Sequence, residues 1–158
     1  MPYAPSSRHA RNRRRRLLAV PLSLMLLLSA VGLVGLLGSS SSSATPATMF
    51  SQVNEVRAKN GRGPLKWNKH LAAVAAQHAR KMSRQSRLHH NPKLTKDVGS
   101  FRRVGENVGY GPRSWSVEKA FVNSRPHRAN ILGRYKQIGI GQTRDAKGRL
   151  WVVQVFRS

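Results

Sequence analysis

Three short segments carry the residues of this sequence that could do chemistry. They are His89-His90-Asn91-Pro92, Gly105-Glu106-Asn107, and the segment from Ser124 to Leu132 that contains His127. Two imidazoles and a carboxylate on separate segments can meet only if the fold brings them together. Such a set can bind a divalent transition metal, preferably zinc, or exchange protons as acid and base. It can also bind an anionic head group through a protonated imidazole, and the residues alone leave these three uses open.

Several familiar catalytic arrangements are absent from the sequence. It contains no cysteine, no Gly-x-Ser-x-Gly elbow and no His-Glu-x-x-His pair. A serine three residues before a histidine, as at Ser124, more often caps a helical turn than attacks a substrate. The amides of Asn107 and Asn130 more often tie loops to the backbone than touch a ligand. Glu106 is more suggestive, because it is one of only five acidic residues in a very basic chain.

Two helices are predicted to precede the first histidine segment. Phe50, Val53 and Val56 are spaced as on one helix face, which predicts a helix over residues 49–59 with Thr48 as its N-cap. Asn68 is a good N-cap for a second helix over residues 69–84. The small alanines on its apolar stripe should let this helix approach a neighbouring element closely. His78 within it is expected to be a packed or half-exposed helix histidine.

The candidate residues fall in less regular segments. Residues 86–103 show no clean period and are expected to form a loop, followed by a strand or turn from Arg102 to Tyr110. A third helix is predicted over residues 117–123, capped by Ser114 or Ser116. A one-turn helix is predicted over residues 128–132.

The C-terminal part reads as a β-hairpin. Ile138, Gly139, Ile140 and Gly141 alternate, and a turn over residues 145–149 leads to an apolar run at 151–156. Apolar side chains on both faces of the last strand indicate that it is covered on both sides. Helices come first and strands last, which predicts an α+β sandwich of layers.

The N-terminal segment differs from the rest. A basic run ending at Arg16 precedes an uncharged apolar run over residues 17–37 and then a serine tract. This layout predicts residues 1–44 to be a secretory signal peptide. The run is also long enough to be an N-terminal transmembrane anchor, which would give membrane contact. Residues 45–48 would be a linker and residues 49–158 one domain, placed outside the cytoplasm in either case.

The charge is strongly positive and belongs to the predicted domain. The formal net charge is +24, and 23 of the 29 Lys and Arg residues follow residue 44 together with all five acids. Such an excess suggests polyanionic surroundings. Export argues against nucleic acid and favours acidic cell-wall polymers or anionic lipid head groups. The alternative is a set of solvated basic residues without a partner, and nothing in the sequence indicates an oligomeric state.

An ordered series of short motifs runs through the predicted domain. It comprises Asn54-x-x-Arg57, Pro64-Leu65-x-x-Asn68-x-x-Leu71, Ala75 and Ala79, His90-x-Pro92, Gly105-Glu106-Asn107, Ser124-x-x-His127-Arg128-x-Asn130-Ile131-Leu132, Ile138-Gly139-Ile140-Gly141 and Trp151-Val152-Val153-Gln154-Val155-Phe156. Each piece is weak, but the ordered series resembles the bacterial, cysteine-free branch of the CAP family. This family is also called the SCP-like, or cysteine-rich secretory, antigen 5 and pathogenesis-related 1, family. The resemblance covers about residues 48–158.

The resemblance implies a three-layer α-β-α sandwich with a central cleft that holds two histidines and two glutamates. The matching positions here are His90, Glu106 and His127, with His90 preferred to His89 because it lies two residues before the proline. The family's second glutamate, carried on the helix before Ser124, has no match. Glu118 lies one turn earlier on that helix and could approach the cleft. The resemblance thus implies an incomplete tetrad.

Three functions remain open from the sequence. The first is a non-catalytic extracellular module that binds a lipid or an anionic cell-wall ligand, through a basic surface and a cleft formed by His90, Glu106, His127, Asn107 and Ser124. It would require no cofactor. The second is a zinc-dependent hydrolase or protease, in which His90 and His127 hold the metal and Glu106 takes a proton from water. The third is a structural or signalling module with a vestigial cleft.

Overall fold

The computed structural model describes residues 45–158, so the predicted signal or anchor over residues 1–44 lies outside the described residues. The elements in this range are α1 (Pro46–Lys59), β1 (Lys66–Trp67), α2 (Lys69–Gln85), α3 (Leu94–Val98), β2 (Val104–Gly111), α4 (Ser114–Asn123), α5 (Arg125–Ile131), β3 (Gln137–Arg144) and β4 (Leu150–Arg157). None of the helices in residues 45–158 is both long enough and apolar enough to cross a bilayer.

The four strands form one mixed sheet in the order β1-β3-β4-β2. Strand β1 runs parallel to β3, whereas β4 pairs antiparallel with both β3 and β2. Leu150, Val152 and Phe156 of β4 join the apolar cluster under α1, α4 and α5. The intervening Trp151 and Val153 join the cluster under α2 on the other face. The predicted α-β-α layers and the doubly covered last strand are therefore confirmed.

Helix α2 lies unusually close to strand β3. A Cβ atom built on Gly139 would lie 2.1 Å from the backbone nitrogen of Ala72, and one on Gly141 would lie 2.0 Å from that of Ala76. Ala75 and Ala79 on the helix side are fully buried. The close approach predicted from the helix alanines is confirmed, and it also requires glycine at these two strand positions.

The start of α1 differs from the sequence prediction. Thr45, not Thr48, is the N-cap, and its hydroxyl accepts the Thr48 backbone N–H at 3.4 Å. Pro46 then occupies the first turn, where a missing N–H costs nothing and the fixed φ suits a helix. Residues 46–48, which were predicted as linker, therefore belong to α1.

Three further helix predictions were incomplete. The predicted loop over residues 86–103 contains the short helix α3. Helix α4 begins at Ser114 after Arg113 as N-cap, so neither predicted serine caps it. Helix α5 begins at Arg125 rather than residue 128, because Pro126 is accommodated inside its first turn. Only α2, with Asn68 accepting the Leu71 N–H at 3.0 Å, begins where the sequence predicted.

Candidate functional site

Glu106 lies on the edge strand β2, opposite Val155 and on the sheet face that α2 covers. Its side chain is almost fully buried, and the Asn91 backbone N–H donates to Oε1 at 2.9 Å and to Oε2 at 3.1 Å. His90 Nδ1 lies 3.2 Å from Glu106 Oε1, while most of the His90 side chain is exposed. The carboxylate therefore fixes the loop and the orientation of the His90 ring.

Helix α2 supports the loop over residues 86–93, which carries His89 and His90 and which we call the histidine loop. His78 is packed at 3% exposure, and its Nε2 lies 2.8 Å from the His89 carbonyl oxygen. The His89 ring packs on the His78 ring and its Nε2 lies 2.9 Å from Gln85 Oε1. His78 is therefore the packed helix histidine that the sequence predicted. Of the two adjacent histidines, His90 is the one placed beside Glu106.

Asn107 follows Glu106 but points to the opposite sheet face. It is fully buried, and its Nδ2 donates to the His127 carbonyl oxygen at 3.2 Å and to Gln154 Oε1 at 2.9 Å. Asn130 Nδ2 in turn donates to Asn107 Oδ1 at 2.9 Å and to the Glu106 carbonyl oxygen at 3.0 Å. These amides hold α5, and with it His127, against β2. Asn107 was predicted as a cleft residue, but it is buried beneath the site and supports the turn instead.

Arg57 of α1 fixes the other end of α5. Its Nη1 donates to the Ile131 carbonyl oxygen at 2.7 Å and to that of Gly133 at 2.9 Å, and its Nε donates to the Gly63 carbonyl oxygen at 2.8 Å. Helix α5 thus has polar anchors at both ends. Arg57 belongs to the Asn54-x-x-Arg57 motif, but the sequence did not indicate its role in holding α5.

Glu118 is turned into the protein rather than into the cleft. It is 4% exposed, Gln154 Nε2 donates to its Oε2 at 2.6 Å, and its Oε1 has no hydrogen-bond partner within the described residues. Burial raises the pKa of Glu118 to about 7, and the hydrogen bond from Gln154 opposes this only in part. Glu118 therefore does not supply the missing cleft glutamate. Gln154 was not singled out, although it is the one polar side chain within the apolar run of β4.

His127 is partly buried and packs against an aromatic ring. The centroids of the His127 and Phe121 rings are 4.9 Å apart. Burial lowers the pKa of His127, and the positive charge of His90 lowers it further. The two histidines are therefore close enough to interact electrostatically, and His127 is neutral near pH 7.

An apolar groove opens beside His127 along the edge strand. Its volume is about 250 Å³. The lining residues are Leu88, Val108, Gly109, Tyr110, Val117, Ala120, Phe121, Ser124 and His127. Ser124 makes no side-chain capping hydrogen bond, contrary to the capping role expected for it. It lines this groove instead.

The fit of a catalytic zinc ion can be tested on the donor atoms. Both Glu106 oxygens accept hydrogen bonds from the histidine loop, as described above. Within residues 45–158, no group of three or more His, Asp or Glu side chains is arranged to hold a metal ion. Catalytic zinc sites usually have three protein ligands, so this donor set does not fit one.

Zinc is therefore expected to have no specific effect on stability through these histidines. A metal that binds only the folded state raises the melting temperature. We expect any zinc-induced shift to be the same in the wild type and in a His90→Ala/His127→Ala double variant, measured by differential scanning fluorimetry. A larger shift in the wild type would show that the two histidines bind the metal after all.

Comparisons with known proteins agree with this architecture. The model of the cysteine-rich secretory protein family, CAP, matches residues 50–156. The Bacillus subtilis protein YkwD, which is uncharacterised, is 30% identical over 112 residues, covering 65% of this chain and 43% of YkwD. The chain thus spans less than half the length of that relative.

Solved structures of similar fold come from several bacteria. An extracellular protein containing an SCP domain from Bacillus anthracis is 22% identical with a TM-score of 0.62, covering 70% of this chain and 39% of that one. An outer surface protein from Borrelia burgdorferi is 20% identical with a TM-score of 0.65, covering 71% of this chain and 90% of that one. At these identities the likeness shows the fold alone.

Proposed function

Because the chain belongs to the CAP family of cysteine-rich secretory proteins, we propose that it is a non-catalytic extracellular binding module. Its apolar groove takes the hydrocarbon part of a lipid or of a similar amphiphile. The extracellular location is supported by the sequence layout of residues 1–44 and by the extracellular and outer surface proteins that share the fold. Release by cleavage and retention by an N-terminal anchor are both compatible with this role.

The observation that carries the proposal is the lining of the groove. Apolar atoms supply most of its surface, and the lining includes the side chains of Leu88, Val108, Val117, Ala120 and Phe121. A volume of about 250 Å³ lies below the roughly 300–1,000 Å³ typical of whole drug-sized ligands. The groove therefore suits a segment of one acyl chain rather than an entire lipid.

The polar groups around the groove support binding rather than chemistry. His127 is neutral near pH 7, since burial lowers its pKa. Both carboxylate oxygens of Glu106 accept the Asn91 N–H. The Glu118 side chain is buried and accepts a hydrogen bond from Gln154. In this proposal the polar end of the amphiphile contacts His90, which is exposed and acts electrostatically on His127 in the groove lining. The zinc hydrolase draws no support from these donors, and a purely structural module would leave the groove empty.

Filling the groove is expected to weaken ligand binding. Ala120 is an exposed helix residue that lines the groove, so Ala120→Phe adds a ring there without disturbing the core. We expect it to weaken binding of a dansyl-labelled medium-chain fatty acid at least tenfold, or by about 1.4 kcal/mol. Fluorescence titration of the dansyl group measures this.

Ala58→Phe is the matched control, because Ala58 is an exposed residue of helix α1 that does not line the groove. It adds the same apolar ring to the surface and should leave the affinity within about twofold. Equal affinities of Ala120→Phe and wild type would refute the groove as the binding site. Equal losses in both variants would indicate nonspecific surface binding.

A further inference from the structure

One end of the sheet gathers basic residues that are distant in sequence. Strand β4 ends where β2 and β3 begin, because it runs antiparallel to both. The Lys136 N–H donates to the Arg157 carbonyl oxygen at 2.9 Å, and the Ser158 N–H donates to that of Arg103 at 3.0 Å. The segments around residues 102–103 and 134–136 thus come together on either side of the end of β4.

These segments surround an open cavity of about 690 Å³. Its lining includes Arg102, Arg103, Arg134 and Lys136, which we call the basic pocket, together with the exposed ring of Phe101. All four cationic side chains are exposed. The basic pocket shares no lining residue with the apolar groove, so the two are separate sites.

Within the described residues, no Asp or Glu side chain forms an ion pair with the basic pocket, whose lining also includes Ser100 and Ser158. The ion pairs among residues 45–158 are Lys59–Glu55, His90–Glu106 and Arg149–Asp145. None of them includes a residue of the basic pocket. Four like charges at one end of a sheet repel one another. A bound anion would relieve that repulsion.

The side chains of the basic pocket form no hydrogen bonds to other parts of the protein within residues 45–158. The neighbouring Arg157 is tied to the fold, since it donates to Gln137 Oε1 at 2.6 Å and to the Val98 carbonyl oxygen at 3.2 Å. The side chains of Arg102, Arg103, Arg134 and Lys136 make no such hydrogen bond in this part of the chain. Each arginine therefore offers its full set of N–H donors to a ligand.

We propose that the basic pocket binds successive phosphate groups of an anionic polyol phosphate polymer. The planar guanidinium fork matches the oxygens of a phosphate group, and arginine is weakly hydrated for a cation. The cavity is far larger than one phosphate group needs, which favours a chain with repeated charges. Nucleic acid fits less well, because sequence-tolerant binding of single strands uses several aromatic stacking surfaces and Phe101 is the one aromatic ring lining the cavity. This inference deepens the proposed binding function but uses no residue of the groove.

The test compares two triple variants of equal charge. Arg102→Gln/Arg134→Gln/Lys136→Gln removes three charges from the pocket. Arg80→Gln/Lys81→Gln/Arg84→Gln removes two arginines and one lysine from the exposed surface of α2. We expect the pocket variant to bind soluble poly(glycerol phosphate) roughly tenfold more weakly, with a shallower salt dependence, and the α2 variant to lose about twofold at most. Equal losses of affinity in both variants would show that net charge alone accounts for binding, and would refute the basic pocket as the binding site.

Two further ligands test which class of molecule carries the phosphate groups that the basic pocket binds. Dihexanoyl phosphatidylglycerol below its micelle threshold and a single-stranded oligonucleotide are titrated beside the polymer, per mole of phosphate. Tighter binding of either would overturn the assignment to a polyol phosphate polymer. The pocket variant should still bind the dansyl fatty acid, and Ala120→Phe should still bind the polymer. Failure of one site is therefore distinguishable from failure of the other.

Discussion

Replacing Gly141 by alanine is expected to lower the free energy of unfolding by about 3 kcal/mol or more, at the upper end of overpacking penalties. The new Cβ would lie 2.0 Å from Ala76 N, 2.3 Å from Ala75 C and 2.4 Å from Ala76 Cα. All three atoms belong to the backbone of α2, so no side-chain rotation can relieve the contact. The helix would have to move off the sheet, and urea denaturation measures the cost.

Gly63→Ala is the control for this substitution. No atom lies within 4 Å of the Cβ position at Gly63, and its backbone needs no positive φ. The same chemical change should therefore alter stability by less than about 1 kcal/mol there. Similar stabilities of the two variants would contradict the close packing of α2 on β3.

Glu118→Gln is expected to remove a large part of the pH dependence of stability. The pKa of Glu118 is about 7 in the folded protein, compared with an ordinary value of 4.5. Between these values the folded state holds a proton that the unfolded state releases, so stability falls as pH rises through about 7. At 1.36 kcal/mol per pKa unit, the loss reaches about 3 kcal/mol above pH 7. Glutamine cannot ionise and keeps an oxygen that can accept from Gln154.

Urea denaturation of both proteins at pH 5 and pH 8 measures this effect. We expect Glu118→Gln and wild type to have similar stability at pH 5 and the variant to be more stable by up to about 3 kcal/mol at pH 8. His127 contributes with the opposite sign, since a lowered histidine pKa costs stability as pH falls. Its contribution is common to both proteins and cancels in the difference. Parallel pH profiles would mean that Glu118 is not a neutral buried acid.

The fold was largely predictable because its signals are local or ordered along the chain. Asn68 as a cap, the alanine stripe of α2 and the doubly apolar β4 each predicted a feature that is confirmed. The first residues of the helices were less predictable, because neighbouring residues can each serve as the N-cap. Thr45 and Thr48 are both plausible caps, and the proline that follows Thr45 decides between them.

The sequence identified candidate residues on separate segments, but not the directions in which their side chains point. Glu106 and Asn107 are adjacent, so in a strand they must face opposite sides of the sheet, and only the strand assignment shows which one is buried beneath the site. The inward position of Glu118 depends on the pairing of β2 with β4, which sets Gln154 opposite Asn107. The apolar groove draws its lining from the histidine loop, β2, α4 and the start of α5. No single segment of sequence carries that pattern.

The most direct test of the binding function is the location of a bound acyl chain. In the protein saturated with a medium-chain fatty acid, we expect nuclear Overhauser effects between the ligand methylenes and both the methyl groups of Val108 and Val117 and the ring of Phe121. These side chains line the apolar groove. Ligand contacts confined to other surfaces, or no binding at millimolar ligand, would contradict the account.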